Sequence, residues 1–334
     1  MNLMRVDRPG ILSVLQDGGR YGYQRFGVPV NGAMDEWSCR LANVLVGNAA
    51  DSAALEITLN GPTVRFAHDT LIAVTGADIA VTAAGVPLPT HCAVMVRHDV
   101  PIAFGHCRRG ARAYLAVRGG FAPDAVLGSR STNLRAAFGG VEGRALRAGD
   151  RVAVASPYRE MLPLARMMVQ SVMASVAAAR PAGANGPETG NAIRFLPGPQ
   201  WERFEPTARK AFETETFTVS SQSDRMGYRL EGPALALSSP LEMVSEAVSF
   251  GTVQVPPGGA PIVLMADRQS VGGYPKIAYV ISADLPSLAQ AMPGTALRFQ
   301  AVTAETAQRE LLAMEDRLDT IAAEAARLLG LPSQ

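Results

Sequence analysis

The side chains best suited to chemistry in this chain gather where apolar strands run out into glycine turns. The stretch from Ile262 leads into Asp267-Arg268-Gln269, then the turn Gly272-Gly273-Tyr274-Pro275, then Lys276. A carboxylate, a guanidinium, an amide, a phenol and an ammonium so close together could hold an amide and a carboxylate at once. Gln269 offers a donor and an acceptor, which matches an amide. Arg268, or Arg225 within Ser223-Asp224-Arg225-Met226-Gly227-Tyr228-Arg229, can grip a carboxylate through two parallel hydrogen bonds. Lys276 could stabilise a developing oxyanion, or lose its proton if desolvated. The plainer alternative is an Asp–Arg surface pair on a structural hairpin.

A second polar group opens the chain: Gln16-Asp17-Gly18-Gly19-Arg20-Tyr21-Gly22, followed by Gly27-Val28-Pro29 and Gly32-Ala33-Met34-Asp35. Arg20 is another carboxylate ligand, with Gln16 and Asp17 beside it. Ordinary turn chemistry and a helix amino terminus favoured by Asp35 account for the same residues. His91-Cys92, His98 and His106-Cys107 bunch together, but alternation along a strand sends adjacent His and Cys to opposite faces. With no metalloenzyme spacing, no metal is expected. No G-x-S-x-G elbow is present.

Only two lysines occur, Lys210 and Lys276, and neither is followed by Ser or Thr. There is no G-x-x-x-x-G-K-[ST] phosphate loop and no Ala-Met-Lys-Met tetrapeptide to carry biotin. A net charge of +1 gives no field to recruit nucleic acid or an anionic membrane. Three cysteines without a C-x-x-C spacing suit a reducing compartment. Met1 to Gly10 lacks the apolar core of a signal peptide. Met161 to Ala179 is interrupted by Pro163, Arg166 and Gln170 and reads as a packing or surface helix, so a cytoplasmic location is expected.

These groups need a scaffold, and 334 residues with 48% hydrophobic content favour about two domains. The 32 glycines and 23 prolines suit short strands and tight turns. Strands are expected over Ile11–Leu15, Leu55–Leu59, Leu71–Thr75, Val94–Val96, Tyr114–Val117 and Arg151–Val154. Turns fall at Gly61-Pro62, Gly76, Gly85, Gly119-Gly120 and Gly149-Asp150. A helical stripe covers Ala33 to Val46. Residues 161–191 combine a helix-prone Met/Ala segment with a Pro/Gly/Asn linker, separating a domain over 1–160 from one over 192–302. Strands of the second domain are Phe217–Ser221, Val253–Val255, Ile262–Ala266, Ile277–Ile281 and Ala296–Val302. An amphipathic helix is expected from Ala304 to Leu329, within a C-terminal segment 303–334, with Leu311, Met314, Leu318, Ile321 and Ala325 on one face. A short echo, Glu142-Gly143-Arg144-Ala145-Leu146 against Glu231-Gly232-Pro233-Ala234-Leu235, suits two β domains of related design.

Taken in order, these segments resemble the KipA/allophanate-hydrolase-subunit-2 family. Gln16 to Arg20, Gly32-Ala33-Met34-Asp35, Thr75-Gly76-Ala77-Asp78, Arg118-Gly119-Gly120 and Gly198-Pro199-Gln200 carry the likeness. Ser223 to Gly227, Gln254-Val255-Pro256-Pro257-Gly258-Gly259 and Asp267 to Lys276 continue it. The resemblance implies a mainly β protein with two cyclophilin-like β-barrel domains and a C-terminal helix. It also implies the third component of an ATP-dependent 5-oxoprolinase, opening 5-oxo-L-proline to L-glutamate. The implied partners are a KipI-like B subunit (PxpB) and a LamB/YcsF-like A subunit (PxpA). ATP with Mg would serve the complex, with no covalent biotin on this chain. On that reading Asp267 and Gln269 meet the amide and Lys276 meets developing negative charge. Arg225 or Arg20 meets the substrate carboxylate, with Gln16, Asp17, Arg268 and Tyr274 supporting. Two alternatives stay open: a biotin-dependent carboxyltransferase acting on urea or another amide, and a KipA-like regulator antagonising a KipI-like kinase inhibitor.

Overall fold

Runs of alternating apolar residues build two separate antiparallel-rich sheets in the computed structural model, which describes residues 3–155 and 192–330. The segment read as helix and linker over 161–191 lies outside the described residues. The N-terminal sheet holds β1 (Leu3–Arg8), β2 (Leu12–Gln16), β3 (Ala54–Thr58), β4 (Thr63–Phe66), β5 (Thr70–Ala83), β6 (Val86–Pro87), β7 (Ala93–Val96), β8 (Ile102–Val117) and β9 (Arg151–Ala153). Its order is β2-β3-β8-β4-β1-β9, with β5 pairing β6, β7 and β8. The 16 residues of β8 reach β3, β4 and β5 in turn, so this strand curls the sheet around the core of Met4, Ile57, Phe66, Ile72, Phe104 and Leu115.

Gly76, expected as a turn, lies inside β5. The β5–β8 register shifts between Gly76 and Asp78, and Gly76 adopts a φ of +87°. A Cβ there would sit 2.4 Å from the Arg112 carbonyl oxygen. The glycine therefore permits a bulge that bends a continuous strand, which is a different use of the same conformational freedom.

The C-terminal half holds β10 (Ile193–Pro197), β11 (Phe217–Val219), β12 (Gly227–Glu231), β13 (Glu246–Ala247), β14 (Thr252–Gln254), β15 (Ile262–Leu264), β16 (Val271–Gly272), β17 (Lys276–Val280), β18 (Ala296–Leu297) and β19 (Phe299–Ala301). Eight of these form a sheet in the order β18-β11-β12-β15-β14-β17-β10-β19, while β13 and β16 form a two-stranded ribbon. Among the described residues, four α-helices complete the fold: α1 (Glu36–Leu45), α2 (Pro206–Thr214), α3 (Leu285–Ala289) and α4 (Ala304–Leu328). Phe195, Phe212, Phe217 and Phe299 fill the second core, with Phe212 and Phe299 stacked at 4.5 Å between centroids. The protein is mainly β, with two curled, barrel-like sheets and a C-terminal helix.

Asp35 starts α1 as its cap: its carboxylate accepts from the Ser38 amide at 2.9 Å and the Ser38 hydroxyl at 2.6 Å. The last helix returns to the first half. Leu318, Ile321 and Leu328 of α4 pack with Trp37, Leu41 and Val44 of α1, and Arg40 grips Glu315 through two bonds of 2.6 and 2.7 Å. No described helix is long and apolar enough to cross a membrane.

Because Leu318 is buried in that contact, Leu318→Ala should cost about 2–5 kcal/mol in urea unfolding. A cost under about 1 kcal/mol, the range of ordinary surface changes, would show that α4 does not dock there.

Candidate active site

Arg225 sits where the two halves meet, at the turn before β12. Its Nε and Nη2 donate to Asp267 at 2.9 and 3.1 Å, Nη1 pairs with Glu56 of β3, and Nη2 donates to the Gly32 carbonyl at 2.7 Å. Burial opposes the charge on Arg225, but the Asp267 and Glu56 carboxylates outweigh it and raise the pKa above its ordinary value. Glu56 also accepts from the Met34 amide and the Tyr114 hydroxyl, both at 2.8 Å. Burial, reinforced by Glu56, pushes the Tyr114 phenol well up, so it stays a donor. Asn31 donates to Asp267 at 2.7 Å and accepts from Arg20 at 2.9 Å.

A second cross-link joins the halves nearby. Gln290, following α3, accepts from the Ala111 and Arg112 amides at 3.0 Å each and donates to Asp35 at 2.6 Å. In return Arg112 donates to the Tyr228 hydroxyl at 2.6 Å.

Beside this seam lies a cleft of 280 Å³ on the outer face of β12, β15 and β14. Gly227 and Arg229 come from β12, Ile262 and Leu264 from β15, and Gln254 from β14; Gln222, Asp224, Gln269 and Tyr274 rise from the turns. Arg135 of the N-terminal half closes one side and reaches Met226 Sδ at 2.9 Å. Gln254 anchors the floor, donating to the Tyr274 carbonyl at 3.3 Å and accepting from Gln269 at 3.4 Å. A Cβ on Gly272 would lie 2.5 Å from the Gln254 amide, so glycine lets β16 cross there without displacing that side chain.

The residues singled out in the sequence thus fall in different surroundings. Gln269 and Tyr274 line the cleft. Asp267 and Arg225 belong to the seam, with their polar atoms already engaged. Arg20 is buried, bonded to the Val126 and Ser131 carbonyls at 2.9 Å each and lying over the Phe138 ring. Gln16 is buried and donates to the Thr132 carbonyl at 3.1 Å. Asp17 ties its own loop to Ser129, Arg130 and Ser131. Arg268 lies over the Phe250 ring, 5.7 Å from its centroid, and burial lowers its pKa. Lys276 is buried, with its Nζ 2.6 Å from Glu246.

Gln222, Arg135 and Glu246 carried no signal of their own in the sequence. Gln222 merely adjoins the run from Ser223, and Arg135 reaches the cleft only through the meeting of the halves. Among the described residues no three His, Cys, Asp or Glu side chains are grouped to hold a metal ion.

Residues 26–301 match the family model described as carboxyltransferase domain, subdomain A and B. The chain belongs to that carboxyltransferase family. It is 39% identical over 311 residues to a protein from Haemophilus influenzae named as the C subunit of 5-oxoprolinase, covering 92% of this chain and 94% of that one. It is 38% identical over 305 residues to the protein of the same name from Escherichia coli, covering 91% and 93%. The Kluyveromyces lactis urea carboxylase structure superposes with a TM-score of 0.83 at 28% identity, over 99% of this chain and 30% of that larger one.

Within this carboxyltransferase-family fold, Arg225 neutralises the buried Glu56 carboxylate and the largely covered Asp267 carboxylate at once. Arg225→Ala should therefore destabilise the chain by about 3–5 kcal/mol in denaturant unfolding, since it strands buried charge. A loss under about 1 kcal/mol would remove the network from its role in joining the halves.

Proposed function

We propose that this chain is the C subunit of an ATP-dependent 5-oxoprolinase, a component of a hydrolase that opens the lactam of 5-oxo-L-proline to L-glutamate. The observation that carries the reading is its match along nearly the full length of two proteins that bear the 5-oxoprolinase C-subunit name. The cleft suits the substrate. Gln254, Gln269 and Gln222 offer amide groups that pair donor to acceptor with a lactam, and Arg229 and Arg135 supply cations for its carboxylate.

The amides and guanidinium groups that line the cleft are suited to binding and orienting the substrate. Lactam resonance has to be broken by activation, and ATP with its magnesium would supply that chemistry at the level of the complex. This chain lacks a G-x-x-x-x-G-K-[ST] loop, so the reading assigns nucleotide handling to companion chains: a KipI-like B subunit and a LamB/YcsF-like A subunit in the cytoplasm. The likeness to urea carboxylase favours a second reading, in which the same amide-binding cleft positions urea or a related amide for carboxylation.

Mixing this chain with the two candidate partners, ATP and 5-oxoproline should release glutamate together with ADP. Gln269→Ala and Arg229→Ala should each lower kcat/KM by about 10–100-fold, the loss expected for a hydrogen bond to a polar or charged ligand group. Absence of turnover, with carboxylation of urea when a carboxybiotin-loaded carrier is supplied, would replace this reading by the second.

A further inference from the structure

The floor of the cleft continues past its visible edge. Strand registers place Arg229 opposite Ile262, Ile262 opposite Gln254, and Gln254 opposite Lys276, forming one row across β12, β15, β14 and β17. Residues opposite one another in antiparallel strands share a face, so Lys276 projects on the same side as three residues of the cleft. At about 4.8 Å per strand the row runs roughly 14 Å from Arg229 to Lys276. Its first three members line the cleft; the fourth is covered.

The cover is the β13–β16 ribbon. Glu246 of β13 pairs with Gly272, the glycine that crosses closely over Gln254, and its carboxylate sits 2.6 Å from Lys276 Nζ. The two partners differ sharply in environment: the Lys276 side chain is 1% exposed and the Glu246 side chain 54%. No residue from 236 to 250 is buried; Leu237 and Phe250 pack partly covered against the core near its two ends, and little apolar packing holds down the stretch between them. A buried ammonium needs an anionic partner, and here that partner is carried by a strand whose two residues are both exposed.

We infer that Lys276 is an anion subsite of the cleft, occupied by the Glu246 carboxylate as an internal stand-in that a phosphoryl group on the bound ligand displaces. The row then has an order: a cation for the substrate carboxylate at Arg229, an amide partner at Gln254, and a cation for the activated amide oxygen at Lys276. Glu246 acts as a positioning residue, holding Lys276 in place until the ligand arrives. The assignment rests on the 5-oxoprolinase reading for the identity of the ligand, but the subsite itself is testable without turnover.

The chain's two lysines make that test direct, because exposed Lys210 serves as an internal reference. With 15N-labelled lysine, inorganic phosphate titrated into the full chain and into Glu246→Gln is followed through the two Nζ signals, assigned with Lys276→Arg. In Glu246→Gln, phosphate should shift Lys276 and leave Lys210 unmoved, with an affinity at least tenfold above that of the native chain; acetate should act more weakly. A Lys276 signal that ignores phosphate in Glu246→Gln overturns the proposal. So does an equal response of both lysines, or equal affinity in the two proteins. A loss of glutamate release by the assembled complex, by contrast, bears on the 5-oxoprolinase reading and leaves the phosphate result standing.

Discussion

One guanidinium placed between a buried carboxylate and a largely covered one governs how the halves of this protein meet. Glu56 comes from the first sheet and Asp267 from the turn that follows β15, and taking both from water without compensation would be costly. Arg225 answers both, while Asn31, Tyr114 and the Met34 amide satisfy the remaining oxygens. Such a cluster tolerates only one arrangement of its members, because any shift strands a charge in a low-dielectric setting. The position of Arg135 against Met226, which closes the cleft, follows from that arrangement.

The cleft itself grows from the two-residue period of a strand. In the second half, Val253, Val255, Val263 and Ile277 face the phenylalanine core, while Gln254, Ile262 and Arg229 face outward. The register of β14 against β17 slips by one residue between Val253 and Gln254. Ile277 and Ala278 can both enter the core at that slip, and Lys276 stays on the outer face opposite Gln254. A single bulge therefore decides which side of the sheet receives a buried cation.

Much of the architecture was legible in the order of residues. Strands over Leu55–Leu59, Val94–Val96 and Val253–Val255 emerged within a residue of their observed places, as did the C-terminal helix, because apolar periodicity reports directly on which face meets a core. The Asp267–Lys276 segment was legible as chemically rich, and Gln269 and Tyr274 do stand in a cleft. Gly76 shows the limit of local reading: glycine signals freedom at positive φ, but whether that freedom makes a turn or a bulge depends on a partner strand.

By itself, then, the chain's sequence determined the β-rich character, the strand periodicity and the set of polar side chains on offer. Only the tertiary structure decided their division of labour. Arg20, Arg225, Arg229 and Arg135 carry the same group, yet two are sealed among protein partners and two face the cleft. The reason is physical: an arginine's role follows from which carboxylates and carbonyls lie within reach and how much water remains. Some of those neighbours lie more than a hundred positions away in the chain, as Glu56 does from Arg225 and Ser131 from Arg20.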